Sequence, residues 1–189
     1  GPQSAKGPLL AVQADSINGL LLEENEGHKL ALNKIKDHWV LPESGGFPAD
    51  TVRIQGLIDK LTNLQRGWPE ASTAEAATRF KVAPDNFAHR LTLLDNGTPV
   101  KVVYFGVSPG LRKLYLRVDK DPEIHAMTIA AHDLDTKTDS WIDTSLLHLT
   151  ADQVARVHLP GLELEHGKDG LQPVDLREGE ELVKDRRDA

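Results

Sequence analysis

This chain has no cysteine, so any chemistry it performs must come from histidines, carboxylates, hydroxyls or exposed aromatics. Disulfides, thiolate nucleophiles and Cys-based zinc sites are excluded. The densest polar cluster is His132-Asp133-Leu134-Asp135, an imidazole and two carboxylates in a row, with Asp139 and Asp143 nearby. Such a set can begin a divalent-metal site. At a strand-to-loop transition the same residues form a solvated turn. Neighbouring strand residues point to opposite faces, so no metal is expected at His132, Asp133 and Asp135. The eight histidines include no H-E-x-x-H and no i, i+4 pair, leaving zinc hydrolysis without support. Ser108 in Val107-Ser108-Pro109-Gly110 lacks the G-x-S-x-G elbow, and proline fills the position after it. Pro42-Glu43-Ser44-Gly45-Gly46 is glycine-rich without the Gly-Lys-Ser/Thr of a phosphate loop, and is read as a plain loop. No catalytic, cofactor-binding or metal-binding residue is assigned.

The aromatics are better candidates. Trp39 lies on an alternating strand and Trp141 precedes Ile142 and Leu146-Leu147, so both are read as core. Trp68 lies in the turn Arg66-Gly67-Trp68-Pro69, where it is the candidate partner contact. A lid over a helix end is the competing reading for it. Arg112, Lys113, Arg117 and Lys120 form a modest basic patch, read as solvated strand charges.

The elements that would position these residues follow from periodicity and turn chemistry. Ser16–Glu23, the alternating Lys29–Asn33 and His38–Leu41 read as an antiparallel meander, followed by a Pro42–Phe47 loop with Gly45-Gly46 free to take positive φ. Ile54, Leu57, Ile58, Leu61 and Leu64 make one apolar stripe, predicting a helix over Asp50–Gln65 with Asp50 as N-cap. Ser72-Thr73-Ala74-Glu75 reads as a capping box opening a short helix to about Phe80. Beyond it the pattern turns to β. Arg90–Leu94 and Val100–Phe105 flank Asn96-Gly97, a strong hairpin signal, and strands follow over Leu111–Val118 and Ile124–Ala130. Trp141–Leu149 reads as a short turn or helix with its leucines packed inward. The fold class is α+β, mainly antiparallel sheet with helices on one side.

The start of the chain recurs near its end. Ala14–Leu22 aligns with Ala151–Leu159, Leu30-Ala31-Leu32 with Leu162-Glu163-Leu164, and Asp37-His38-Trp39 with Asp169-Gly170-Leu171. This predicts two related strand-helix half-units, the second incomplete: Pro173 interrupts its third strand and Glu178–Ala189 is too charged to replace the helix. Ser16–Asn33 and Gln153–Leu164 are expected to superpose as strand pairs. The expected organisation is a first α+β unit with inserted hairpins over 5–150, a partial second repeat over 151–175 and a charged tail over 176–189. Gly1-Pro2 is the dipeptide a rhinovirus-type protease leaves after tag removal, so residues 1–4 are set aside as a scar.

Twenty-nine acidic against 22 basic residues give a net charge of −7, which argues against a phosphate-backbone binder, and no nucleic-acid partner is expected. No apolar run approaches the 18 residues of a membrane span. Hydrophobic residues at 39% and charged residues at 27% place the chain among folded globular proteins rather than disordered ones.

The run Trp39-Val40-Leu41-Pro42, Phe47-Pro48-Ala49-Asp50 and the Val52…Leu64 stripe resembles a bacterial family known as domain of unknown function 4340. Leu114-Tyr115-Leu116-Arg117-Val118, Asp121-Pro122-Glu123-Ile124 and Trp141–Leu147 extend the likeness, which spans about Leu9 to Leu164. The resemblance implies one N-terminal transmembrane helix, preceding Gly1 in the native protein, and an extracytoplasmic domain. It also implies genes beside gliding-motility-type ABC-transporter components, and it supplies no catalytic residues. The expected function is therefore a non-enzymatic, membrane-anchored ABC-transporter accessory domain acting by protein contact. The alternative is an envelope module binding a glycan or lipid-like molecule in a cleft between the sheet and the Asp50–Gln65 helix. A metal-dependent hydrolase using His132 and the nearby acids is the third reading.

Overall fold

The structure, a computed structural model, describes residues 7–145 and the backbone of Leu162–Gly167 and Gly170–Asp175. The first elements are β1 (Gly19–Glu24), β2 (Lys29–Ile35), β3 (His38–Leu41), β4 (Phe47–Pro48) and α1 (Thr51–Thr62). They are followed by α2 (Ala74–Arg79), β5 (Val82–Ala83), β6 (Asn86–Phe87), β7 (His89–Asp95) and β8 (Thr98–Phe105). The series continues with β9 (Leu114–Val118), β10 (Ile124–Met127), β11 (Leu162–Gly167) and β12 (Gly170–Asp175). Eight strands make one antiparallel sheet in the order β10-β9-β8-β7-β1-β2-β3-β4. The architecture is α+β, as expected. The chain divides into two compact units: Gly1–Leu30 with Gln55–Thr136, and Ala31–Ile54 with Lys137–Ala189.

In the first unit, β7 and β8 meet across Asn96-Gly97, whose φ values of 51° and 82° are the paired positive angles of a type I′ turn. The turn is tied to the start of β1: Asn96 donates its backbone N–H to Asn18 Oδ1, and Asn18 Nδ2 donates to Asn96 Oδ1, both at 2.7 Å. Alternation then buries Leu20 and Leu22 of β1, Leu91 and Leu93 of β7, and Val103 and Phe105 of β8. β9 begins at Leu114 rather than at Leu111, which is 88% exposed. Arg112 takes a φ of 60° in the tight turn closed by the Gly110–Lys113 bridge, and that geometry cannot continue a strand. β10 likewise stops at Met127, short of the expected Ala130.

A smaller apolar cluster gathers α2 and β5 around Tyr104 and Ile124, with Phe80 stacked on Tyr115 at 4.3 Å between ring centroids. The N-cap of α2 is Thr73, whose Oγ1 accepts from Ala76 N; Ser72 was one residue too early, and Glu75 pairs with Arg79 instead.

Glu23 of β1 and Arg90 of β7 stand directly opposite in the register. Arg90 Nε and Nη2 donate to the two Glu23 oxygens at 2.7 and 3.0 Å, and Glu23 is buried. The bidentate bond from Arg90 overcomes burial and holds the Glu23 carboxyl below the ordinary 4.5. A carboxyl depressed in the folded state stabilises fully above its unfolded pKa, and the contribution is lost as pH falls through the lower folded value. Glu23→Gln should cost about 2 kcal/mol at pH 7, between the exposed and buried limits for such a pair. Urea unfolding should show this gap closing as pH drops below the ordinary 4.5 of the unfolded group. A gap independent of pH would reject the assignment.

In the second unit, β2 alternates as predicted, with Leu32 buried and Asn33 exposed, and β3 carries the fully buried Trp39. Gly45 and Gly46 take φ of 69° and 77°, the freedom foreseen for them. Asp50 caps α1 by accepting Arg53 N at 3.1 Å. Trp141 is also fully buried: Asp50 N donates to its carbonyl at 2.7 Å, and the Arg53 guanidinium lies 4.0 Å over its ring.

Ile54, Leu57, Ile58 and Leu61 of α1 are all buried, four of the five stripe residues; Leu64 is half-buried and lies beyond the helix. The helix ends at Thr62, not Gln65, because the next residues pair with the N-terminal segment. Leu9 N donates to Leu64 O at 2.8 Å, and Gln65 bridges to Pro8.

The leucines at 146, 147 and 149 and the strand expected over Gln153–Leu159 lie outside the described residues. β11 and β12 form an antiparallel ribbon in which Pro173 pairs with Leu164, so Pro173 does not break the strand. Among the described residues the ribbon has two strands, and on the side of a strand away from its partner the missing N–H of proline costs no ladder bond.

Candidate interaction surface

Gly67 and Pro69 prevent α1 from resuming, and the residue before a proline is biased to extended backbone. The chain from Leu64 to Ala71 consequently runs as a strap, fastened on both sides of Trp68 within the first unit. On one side, Arg66 N donates to Gly7 O at 2.8 Å. On the other, Glu70 N donates to Ile124 O at 2.7 Å, and Ile124 N donates to Ala71 O at 2.9 Å.

The Arg66 side chain adds a third fastening. Nη1 reaches Glu123 Oε1 at 2.8 Å and Nη2 reaches Asp121 Oδ2 at 3.0 Å, so one guanidinium holds two carboxylates. Burial opposes ionisation of Asp121. The Glu123 amide and the Arg66 guanidinium outweigh it and keep the carboxyl below its usual range. His125, 2% exposed, backs the same cluster with Nε2 at 3.3 Å from Glu123 Oε1. Between these fastenings Trp68 is 70% exposed. Its indole is displayed, not folded down as a lid.

The other candidates are occupied by local structure. His132-Asp133-Leu134-Asp135 is not a strand edge: Ala131–Leu134 is a single 3-10 turn. Asp133 Oδ2 accepts from Ala130 N at 3.2 Å and from Lys60 Nζ at 3.3 Å, while Leu134 is buried. His132, Asp135 and Asp139 are engaged as well. Asp143 Oδ1 accepts from both N and Oγ of Ser145. Ser108 Oγ lies 2.6 Å from Gly110 O and 2.7 Å from Lys113 O, its one proton shared between the two carbonyls, an anchor for its turn rather than a nucleophile.

The basic patch does not hold together as read: Arg112, Lys113 and Lys120 are exposed, but Arg117 is buried. A set the sequence reading missed is Glu24, Glu26 and His28, whose ligand atoms lie within 4.8 Å of one another across the β1–β2 turn. The E-x-E-x-H spacing was its only signal. The group is solvent-facing, with His28 Nδ1 3.5 Å from Glu24 Oε1, as charged hairpin turns often are.

No helix among the described residues is long and apolar enough to cross a membrane. A family model described as a domain of unknown function, DUF4340, matches residues 39–188. The match starts at Trp39, later than the Leu9 at which the likeness was placed, and continues past Leu164 through the C-terminal segment. No curated protein and no solved structure matches the chain.

Proposed function

The chain belongs to the DUF4340 family, and from that membership and the presentation of Trp68 we propose a non-enzymatic domain that works by protein–protein contact. The observation that carries the reading is a 70% exposed tryptophan on a strap fastened on both sides. An indole offers a large apolar surface, and a pre-ordered strap loses little entropy when a partner covers it. Ser108, Asp133 and Asp143 are engaged in the hydrogen bonds of their own turns, which further favours a surface role.

The partner is a membrane component of an ABC transporter, and the domain sits outside the cytoplasm, anchored by a helix preceding Gly1. This rests on the family resemblance. An anchor would confine the domain to a thin layer above the bilayer, so a modest interface would suffice. The net charge of −7 would disfavour adsorption to anionic lipid and leave orientation to anchor and partner. The same reading takes β11–β12 as part of a degraded second copy of the β1–β3 meander, on the constant offset from Leu30 to Trp39.

The test places a photo-crosslinking amino acid at position 67, beside the intact Trp68 and with open space around its side chain, in the native full-length protein in its own membrane. Mass spectrometry should identify a transporter membrane subunit. Trp68→Ala should weaken that association at least tenfold while moving folding stability by no more than about 0.5 kcal/mol. Products limited to cytosolic proteins, or an unchanged association in Trp68→Ala, would reject the proposal.

A further inference from the structure

Beside α2 lies an open groove of about 620 Å³, within the size range of small-molecule sites. Ala74 and Ala77 of α2, Ala83 and Pro84 after it, and Pro122 of the β9–β10 turn form an apolar wall of small side chains. The groove lies at α2, apart from the cleft beside α1 named in the sequence reading.

Arg117 of β9 also lines this groove, although it is only 8% exposed. Its guanidinium is held in place: Nε donates to Val82 O at 2.9 Å, Nη1 donates to Asp121 O at 3.0 Å, and the group sits 5.2 Å over the Tyr104 ring. Every described acceptor is thus a main-chain carbonyl. No carboxylate lies within 4.0 Å among the described residues, and Nη2 has no acceptor among them. A buried cation without an anion is costly, and a pre-oriented guanidinium with one open edge suits a planar or tetrahedral oxyanion. Lys120 adds a second positive charge to the lining. Asp85 and Asp119 also line the groove, but both are more exposed than Arg117, so solvent screens them more strongly.

We propose that the groove binds a small amphiphile, its carboxylate or phosphate head on Arg117 Nη2 and its apolar body along the alanine and proline wall. This is independent of the Trp68 surface. Calorimetric titration of the full chain with octanoate, octyl phosphate and 1-octanol tests it. At least one of the two anions should bind saturably, at least tenfold more tightly than the alcohol, and the tighter of them identifies the head group. Thr78→Trp, an exposed position of α2 lining the groove, should obstruct the wall and weaken binding at least tenfold. Arg117→Lys should weaken it similarly by removing the oriented fork, and Trp68→Ala should leave it unchanged. Absence of saturable binding by both anions, equal binding of 1-octanol, or full affinity in Thr78→Trp would overturn the proposal.

Discussion

Replacing Trp39 by alanine should destabilise the protein by about 3–5 kcal/mol, the range for truncating a fully buried tryptophan. Trp39 has no exposed surface, and its neighbours along β3, Val40 and Leu41, are buried as well. The strand cannot shift to fill the void, because its main chain is fastened on both polar groups. Trp39 N donates to Thr51 Oγ1 at 3.0 Å, and Ala49 N donates to Trp39 O at 2.9 Å. A cavity that cannot collapse keeps its full cost. Urea unfolding read by circular dichroism should show the midpoint fall by about 1 M or more, with Trp39→Phe losing much less. The contrast with Trp68 is the sharper check, since the same truncation there should leave the midpoint almost unmoved. A loss below about 1 kcal/mol for Trp39→Ala would mean that the site is not the rigid core described.

Gly106→Ala should cost at least about 3 kcal/mol, far more than adding one methyl group to a loop. A Cβ at this position would stand 1.9 Å from Phe80 O and 2.6 Å from Lys81 O. Both obstacles are backbone, so no side-chain rotation relieves the clash. The close approach is built by two hydrogen bonds, Gly106 N to Tyr115 O at 2.9 Å and Val107 N to Phe80 O at 3.0 Å. The first ties the end of β8 to β9, and the second ties the residue that follows to the C-cap of α2. Separating the chains to admit a methyl group would break the second bond and disturb the Phe80–Tyr115 stack. Gly110→Ala is the control: nothing lies within 4 Å of its added Cβ, and its stability should change by no more than about 0.5 kcal/mol. Equal effects of the two substitutions in chemical denaturation would reject the packing described at Gly106.

What the sequence determined by itself was local. The Asn96-Gly97 hairpin, the Asp50 cap, the positive φ at Gly45 and Gly46 and the buried stripe of α1 each depend on residues a few positions apart, where backbone sterics and helical period decide the outcome. Trp39 and Trp141 were legible as core for a related reason: each is a large aromatic followed by further apolar residues, and both are fully buried. The α+β class followed from the sum of these elements.

The tertiary structure decided whatever depends on a partner distant in sequence. Alternation on β9 marked Arg117 as a solvated charge; its burial comes from β5 and the β9–β10 turn closing over it, 35 residues away in the case of Val82. Arg66 meets Asp121 and Glu123 across 55 and 57 residues, and without that grip nothing in Arg-Gly-Trp-Pro distinguishes a displayed indole from a folded-down one. His132 and Asp133 were read as a solvated turn with no metal, but what Asp133 pairs with could not be read from its neighbours. Lys60, 73 residues earlier, and the Ala130 amide take up one carboxylate oxygen of Asp133. The need for glycine at 106 has no local sign at all, since its φ is ordinary and the obstacle is the backbone of another element. Local sterics act through covalent geometry and can be read along one strand of text. Charge pairing, exposure and close backbone approach depend on which elements the collapsed chain brings together, and that placement was settled only by the packing of the whole.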